Sequence, residues 1–240
     1  MELPLRPLLV LVAVAHEARG LARALGLPRI PSGYRAPGVL LAPVGLRAAA
    51  LPRLEPALTA LEPRAVLIAG LAGGLAPDLR PGDLVVASAV LQPDRAGALV
   101  PDQALQDRAI KALGAGRLPF RVGPLVTVPE PVPTPEAKAR LWRETGALAA
   151  DMESALLLDW AGRRGLPAVA VRAVADGPRD SLPPALLALV APDGRLRPGA
   201  LAGLLVRPGR LQAALTLGRR SWVALGRLGT FLDAFAPSRP

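Results

Sequence analysis

The chain has 240 residues, of which 51% are hydrophobic, 3% aromatic and 20% charged, and its net charge is +10. That length suits one α/β domain, and the apolar share supplies a core of Leu, Val and Ala, which argues against disorder despite 28 prolines. With no cysteine and one histidine, His16, the chain excludes disulfides, thiolate metal sites and cysteine nucleophiles, and it disfavours a His-rich metal cage or a Ser-His-Asp triad.

The predicted elements alternate. Leu8 to Val14 is a continuous apolar run, the pattern of a strand buried on both faces. It stops at His16-Glu17-Ala18-Arg19 without a cleavage site, so it reads as a first strand and not a signal peptide. No apolar run reaches the ~20 residues of a membrane span. Glu17 to Leu25 predicts a helix, ended by Gly26 and Pro28. Gly38 to Val44 is a second strand, and Leu46 to Leu61 is helix-like but interrupted by Pro52 and Pro56. Ala65 to Ala69 is a third strand, running into the glycine loop Gly70-Leu71-Ala72-Gly73-Gly74. The turn Arg80-Pro81-Gly82 introduces a fourth, Asp83 to Val90, and Phe120 to Val128 is a fifth. A proline-rich loop, Pro129 to Pro135, precedes helices over Glu136 to Thr145 and Asp151 to Arg164. The last strand, Ala168 to Val174, ends in the turn signal Ala175-Asp176-Gly177-Pro178. Leu182 to Phe235 reads as helical, with breaks near Pro192-Asp193-Gly194 and Arg207-Pro208-Gly209.

Strands alternating with helices predict a largely parallel or mixed sheet, whose ligands sit past the carboxyl ends of the strands. Three polar groups fall at such ends: His16-Glu17, the glycine loop, and Arg172 to Asp176. Glu17 suits the first turn of a helix, where an acid favours the dipole, and equally a general base toward water. The glycine loop lets backbone approach a ligand but lacks the Lys and Ser/Thr of a phosphate-binding loop. Asp151 reads as an N-cap, whereas Glu153, ahead of the apolar run Ala155 to Leu158, is placed to accept two ribose hydroxyls. Met152 offers a soft apolar surface. Asp176 is either a turn residue or an acid for a leaving base, the group that cleavage of a purine glycosidic bond requires.

Together these segments resemble the purine nucleoside phosphorylase and nucleosidase superfamily. Ile68 to Leu75 with Pro81-Gly82-Asp83-Leu84-Val85-Val86 looks like its glycine loop and following strand, Asp151-Met152-Glu153-Ser154 like its nucleosidase signature, and Arg172 to Asp176 like its Arg-x-x-x-Asp strand ending. The resemblance implies an α/β fold of a single domain, with a mixed twisted sheet flanked by helices, no metal or organic cofactor, and a homo-oligomer. It assigns catalysis to Glu17, which activates the nucleophile, and to Asp176 at the purine. Substrate binding falls to Gly70, Leu71, Ala72, Gly73, Met152, Glu153 and Arg172. The carboxylate at Glu17 and the lack of a hydroxyl at Leu71 favour water over phosphate, although Arg19, Arg47 and His16 leave a phosphate co-substrate open. Contacts to the base are expected near Pro129 to Pro135.

Residues 181–240 hold eight Arg and two Asp, net +6, leaving +4 for residues 1–180. The division expected is a core over 1–180 and a basic helical extension over 181–240 packed on it. Ser181-Leu182-Pro183-Pro184, Asp193-Gly194-Arg195, Arg207-Pro208, Leu217-Gly218-Arg219-Arg220, and Lys138 ahead of Thr145-Gly146-Ala147 are similar to the hopanoid-associated branch of the superfamily. That similarity implies release of adenine from adenosylhopane by a cytoplasmic enzyme. The Leu- and Arg-rich segment Leu201 to Leu228 is expected to touch the anionic inner membrane face, and the lack of a nucleic-acid module and of aromatics for base stacking argues against a nucleic-acid partner. Two alternatives share parts of this reading. One is a nucleosidase for methylthioadenosine, S-adenosylhomocysteine or futalosine; the other is a non-catalytic purine-binding or membrane-surface protein.

Overall fold

The computed structural model of the chain describes residues 6–182 and 208–236. In chain order the elements are β1 (Leu8–Val12), α1 (Ala15–Ala24), β2 (Arg29–Ile30), β3 (Gly33–Ala36), β4 (Val39–Pro43), α2 (Leu51–Thr59), β5 (Ala65–Gly74), β6 (Leu84–Gln92), β7 (Arg95–Leu99), α3 (Gln103–Ala115), β8 (Phe120–Thr127), α4 (Pro135–Thr145), β9 (Ala149–Asp151), α5 (Ser154–Gly162), β10 (Ala168–Asp176) and α6 (Pro208–Phe235). The strands form a mixed sheet in the order β10-β6-β8-β9-β5-β1-β4-β3-β2, with β7 added on β6. Strand β10 also pairs with β5, so β5, β10, β6, β8 and β9 close into a ring and β1, β4, β3 and β2 extend from it as a wing.

The apolar runs form central strands because both faces are covered. Along β1, Leu8, Val10 and Val12 pack into one cluster with Leu21 of α1, Leu113 of α3 and Phe231 of α6. Leu9 and Leu11 face the other way, into a cluster with Leu58 of α2 and Trp160 of α5. This is the period-two alternation of a strand serving two cores. Helix α6 belongs to the first of these cores: Ala224, Leu225, Leu228, Phe231, Leu232 and Phe235 are buried among residues of β1, β5 and β10. Its end is held by Arg108, which donates to the Phe235 carbonyl at 2.6 Å and lies 4.8 Å from that ring's centre. No helix among the described residues is long and apolar enough to cross a membrane.

Several boundaries differ from those predicted. The glycine loop is not a loop: β5 continues through Gly74, because Gly73 and Gly74 pair with Ala150 and Ala149 of β9, and Gly70 to Gly73 pair with β10. Helix α5 begins at Ser154, not Asp151, because Ala149 to Asp151 is drawn into the sheet between β5 and β8. The helix-like stretch 46–61 is a single 3₁₀ turn, Leu46–Ala48, and α2, with Pro52 near the helix start, where a missing N–H costs nothing. Helix α3 and strands β2, β3, β7 and β9 are additions to the predicted set. The expected break near Pro192-Asp193-Gly194 lies outside the described residues.

Candidate active site

The carboxyl ends of β1, β5, β8 and β10 meet at a cavity of about 200 Å³. Its lining includes Glu17, Leu71, Ala72, Gly73, Val128, Pro131, Val132, Lys138, Asp151, Met152, Glu153 and Asp176. Each charged group is held by a specific piece of secondary structure.

Glu17 is the third residue of α1, and its carboxyl accepts from the N–H of Val14 at the helix start and from the N–H of Leu71 on β5, each at 3.2 Å. The helix-start role and the site role therefore coincide in one side chain. Burial pushes its pKa above the ordinary value; the Arg172 guanidinium and the two N–H groups act against that rise. The close approach of Glu17 and Arg172 requires glycine at position 70. A Cβ there would stand 2.6 Å from Arg172 Nη1 and 3.3 Å from Glu17 Oε2, and φ is +149°.

Glu153 stands between β9 and α5 and is 3% exposed. Its Oε1 accepts from the N–H of Arg47 at 2.9 Å, which Arg47 presents by adopting a left-handed conformation, φ 52°. Burial raises its pKa to about 7, against the pull of Arg172 and with the help of the Asp151 charge. Asp151 Oδ1 accepts from Thr127 Oγ1 at 2.7 Å and from the Ser154 N–H at 3.2 Å, and Thr127 Oγ1 also receives the Ala155 N–H at 2.9 Å. Side chains of β8 and β9 thus satisfy the first turn of α5. Arg172, 1% exposed, binds Asp151 Oδ2 through Nε at 2.7 Å and reaches Glu153 Oε2 at 3.6 Å. One buried guanidinium is shared among Glu17, Asp151 and Glu153.

Asp176 is the last residue of β10. A register shift between Val174 and Asp176 sets it opposite Gly73, over which its carboxyl lies within 3.6 Å of the place a Cβ would occupy. Lys138 of α4 bonds Asp176 Oδ2 and donates to the carbonyls of Gly177 at 2.8 Å and Asp180 at 2.9 Å. Burial raises the pKa of Asp176, and Lys138 opposes the rise.

The family model described as the phosphorylase superfamily matches residues 37–188. The chain belongs to the phosphorylase superfamily. A futalosine hydrolase from Streptomyces coelicolor is 33% identical over 232 residues, covering 80% of this chain and 95% of that protein. Among solved structures, 5′-methylthioadenosine/S-adenosylhomocysteine nucleosidase from Helicobacter pylori, crystallised with a pyrrolopyrimidine-bearing pyrrolidinol, superposes with a TM-score of 0.73 at 17% identity, over 97% of this chain and 98% of that one. Native futalosine hydrolase of H. pylori does so with a TM-score of 0.73 at 18% identity, over 96% and 97%. These two likenesses concern the superfamily fold.

Of the residues singled out in the sequence, Glu17, Leu71, Ala72, Gly73, Met152, Glu153 and Asp176 all line the cavity. Gly70 and Arg172 are outside the lining, and Arg172 is paired with the lining carboxyls of Asp151 and Glu153. His16, Arg19 and Arg47 are exposed and outside the lining, and Arg47 contributes only its backbone. Pro131 and Val132 of the proline-rich loop form part of the wall, beside Val128. Lys138 enters the sequence reading through the likeness to the hopanoid-associated branch, with no site role attached; it is the one buried residue of α4, a helix otherwise rich in exposed charge.

Proposed function

We propose that this chain hydrolyses the N-glycosidic bond of a purine nucleoside, with Glu17 as the base toward water and Asp176 as the acid toward the leaving purine. The observation that carries the reading is the arrangement of four buried carboxyls around one cavity: Glu17, Glu153 and Asp176 in three different environments, and Asp151 paired with Arg172 behind Glu153. Glu153, backed by Arg172 and the Arg47 N–H, suits the ribose 2′- and 3′-hydroxyls, with Met152 against the sugar. That places the purine between Asp176 and the apolar wall of Val128, Pro131 and Val132, and C1′ within reach of a water held by Glu17. Cleavage puts positive charge on the sugar and negative charge on the base; carboxylates on the sugar side and an acid on the base side oppose both.

Water is favoured over phosphate by the charge around the nucleophile's place. The nearest buried cation, Arg172, is already shared among three carboxyls, and Lys138 is engaged by three oxygens. An incoming phosphate would meet Glu17 and Glu153 with no free cation among the described lining residues.

For the substrate, our reading is an adenosine with a large hydrocarbon at the 5′ position, adenosylhopane. Support comes from the tail motifs and from α6, where Leu215, Trp222 and Val223 are exposed at 61%, 78% and 44% beside exposed Arg219, a composition suited to contact with an anionic membrane surface. A second reading, futalosine, is favoured by the Streptomyces relative. The test is base release from adenosylhopane, futalosine and methylthioadenosine, each with and without phosphate, together with sedimentation on anionic and neutral vesicles. We expect release from adenosylhopane that is independent of phosphate, and sedimentation on anionic vesicles at low salt. Release from futalosine alone would replace the substrate and keep the site. Equal sedimentation on both vesicle types would remove the membrane contact. Binding of adenine without turnover of any nucleoside would favour a non-catalytic purine-binding protein.

A further inference from the structure

The Lys138 ammonium is 1% exposed, and three oxygens surround its Nζ: Asp176 Oδ2, the Gly177 carbonyl and the Asp180 carbonyl. Three acceptors consume all three N–H bonds of an ammonium, which has no acceptor of its own. Lys138 therefore has nothing left to offer a ligand, although its side chain reaches the cavity wall. It also determines which oxygen of Asp176 can carry a proton. Oδ2 faces a group that only donates, so a proton on Oδ2 would set two donors against each other. Oδ1 has no hydrogen bond among the described residues and belongs to a carboxyl that lines the cavity.

We propose that Lys138 is a positioning residue for the cleavage: it clamps Asp176 by Oδ2, so that the transferable proton stands on Oδ1, toward the purine. This rests on the glycosidase reading above. In the step itself, the Oδ1–H bond breaks and an N–H bond forms on the purine as the C1′–N9 pair withdraws into the base. Water gives its oxygen to C1′ and a proton to Glu17. Asp176 is left a carboxylate facing the Lys138 ammonium, Glu17 is left protonated, and exchange with solvent restores both.

The clamp has an outer anchor. Asp180 Oδ2 accepts from the Gly177 N–H at 2.7 Å and pairs with Arg220 of α6 at 2.6 Å. The charged groups that act on Asp176 are thus Lys138 from α4, Asp180 from the segment after β10, and Arg220 from α6. The two cations favour its ionised form, and Asp180 disfavours it.

The experiment is the pH profile of kcat/KM for wild type, K138M and R220Q, on whichever purine nucleoside wild type cleaves. The high-pH limb reports loss of the Asp176 proton. Removing the neighbouring cation in K138M should lower kcat and move that limb upward by about one unit or more. In K138A, ethylammonium should restore rate and return the limb. A residue that only fills space would lower the rate at every pH and leave the limb in place, and that result in a folded variant overturns the proposal. Should K138M not fold, R220Q carries the test, with a smaller displacement in the same direction expected and an unmoved limb overturning it. Failure of wild type to cleave any purine nucleoside would overturn the reaction and this role together, and it is seen before any variant is made.

Discussion

Glu153 is held in a state that costs stability, and the cost is measurable as a pH dependence. In the unfolded chain a glutamate ionises near 4.5, whereas burial places Glu153 at about 7 in the folded protein. Between those values the folded state holds a proton that the unfolded state has released. The stabilising contribution is therefore complete below about 4.5 and is lost as pH rises through about 7. A displacement of about 2.5 units at 1.36 kcal/mol each gives about 3 kcal/mol across the window. The variant E153Q keeps an amide oxygen for the Arg47 N–H and has no proton to lose, so its stability should lack this component. Unfolding of wild type and E153Q, followed at pH 5 and at pH 8, isolates the difference because the other titrating groups are common to both. Because pH 5 already lies above 4.5, wild type should lose about 2.5 kcal/mol more than the variant between the two pH values, or roughly 5–10 °C in Tm for a chain of this size. Parallel losses would show that Arg172 holds Glu153 ionised throughout, and would refute the assignment of burial as the dominant effect. The same titration has a functional face: KM for the nucleoside should fall as pH rises through about 7, since the carboxylate accepts ribose hydroxyls better than the acid.

Three further expectations bear on the site and its support. E17Q should lower turnover by about 10²–10⁴ while equilibrium titration still shows binding of the purine base; wild-type turnover would remove Glu17 from the role of base. G70A should destabilise the protein by about 1–3 kcal/mol and reduce kcat, because the new Cβ displaces the Arg172 guanidinium 2.6 Å away; unchanged unfolding and kinetics would show that Arg172 is free to move. F231A, deep in the interface of α6 with β1 and α1, should cost about 3–5 kcal/mol in urea unfolding; a cost near zero would mean that α6 is dispensable to the core.

Much of this architecture is written in local pattern. The runs at Leu8, Ala65 and Ala168 are short, largely apolar on both alternating faces and bounded by turn residues, the pattern of a strand between two covered faces, so the central strands and their order along the chain are legible without coordinates. Glu17 and Asp176 are legible for the same reason, since each follows such a strand directly. The short strand Ala149–Asp151 has no such signature; three residues become a strand only because Gly73 and Gly74 on one side and Leu125 to Thr127 on the other supply the ladder. That pairing also turned the glycine segment from loop to strand and moved the start of α5 to Ser154.

The charges divide along the same line. Composition alone points the chemistry to carboxylates and arginines, because there is no cysteine and one histidine. It does not tell Arg172, walled in by three carboxyls, from Arg19, which faces solvent. Nor does it tell Lys138 from its exposed neighbours, because Glu136-Ala137-Lys138-Ala139-Arg140 has the pattern of a solvated helix. Burial of a lysine depends on what lies opposite it in space, and here that is Asp176 with two carbonyls, 38 to 42 residues further along the chain. The sequence by itself thus determines the strands and the kinds of group available, while partner and depth, which set each group's protonation and direction, are decided by the tertiary structure alone.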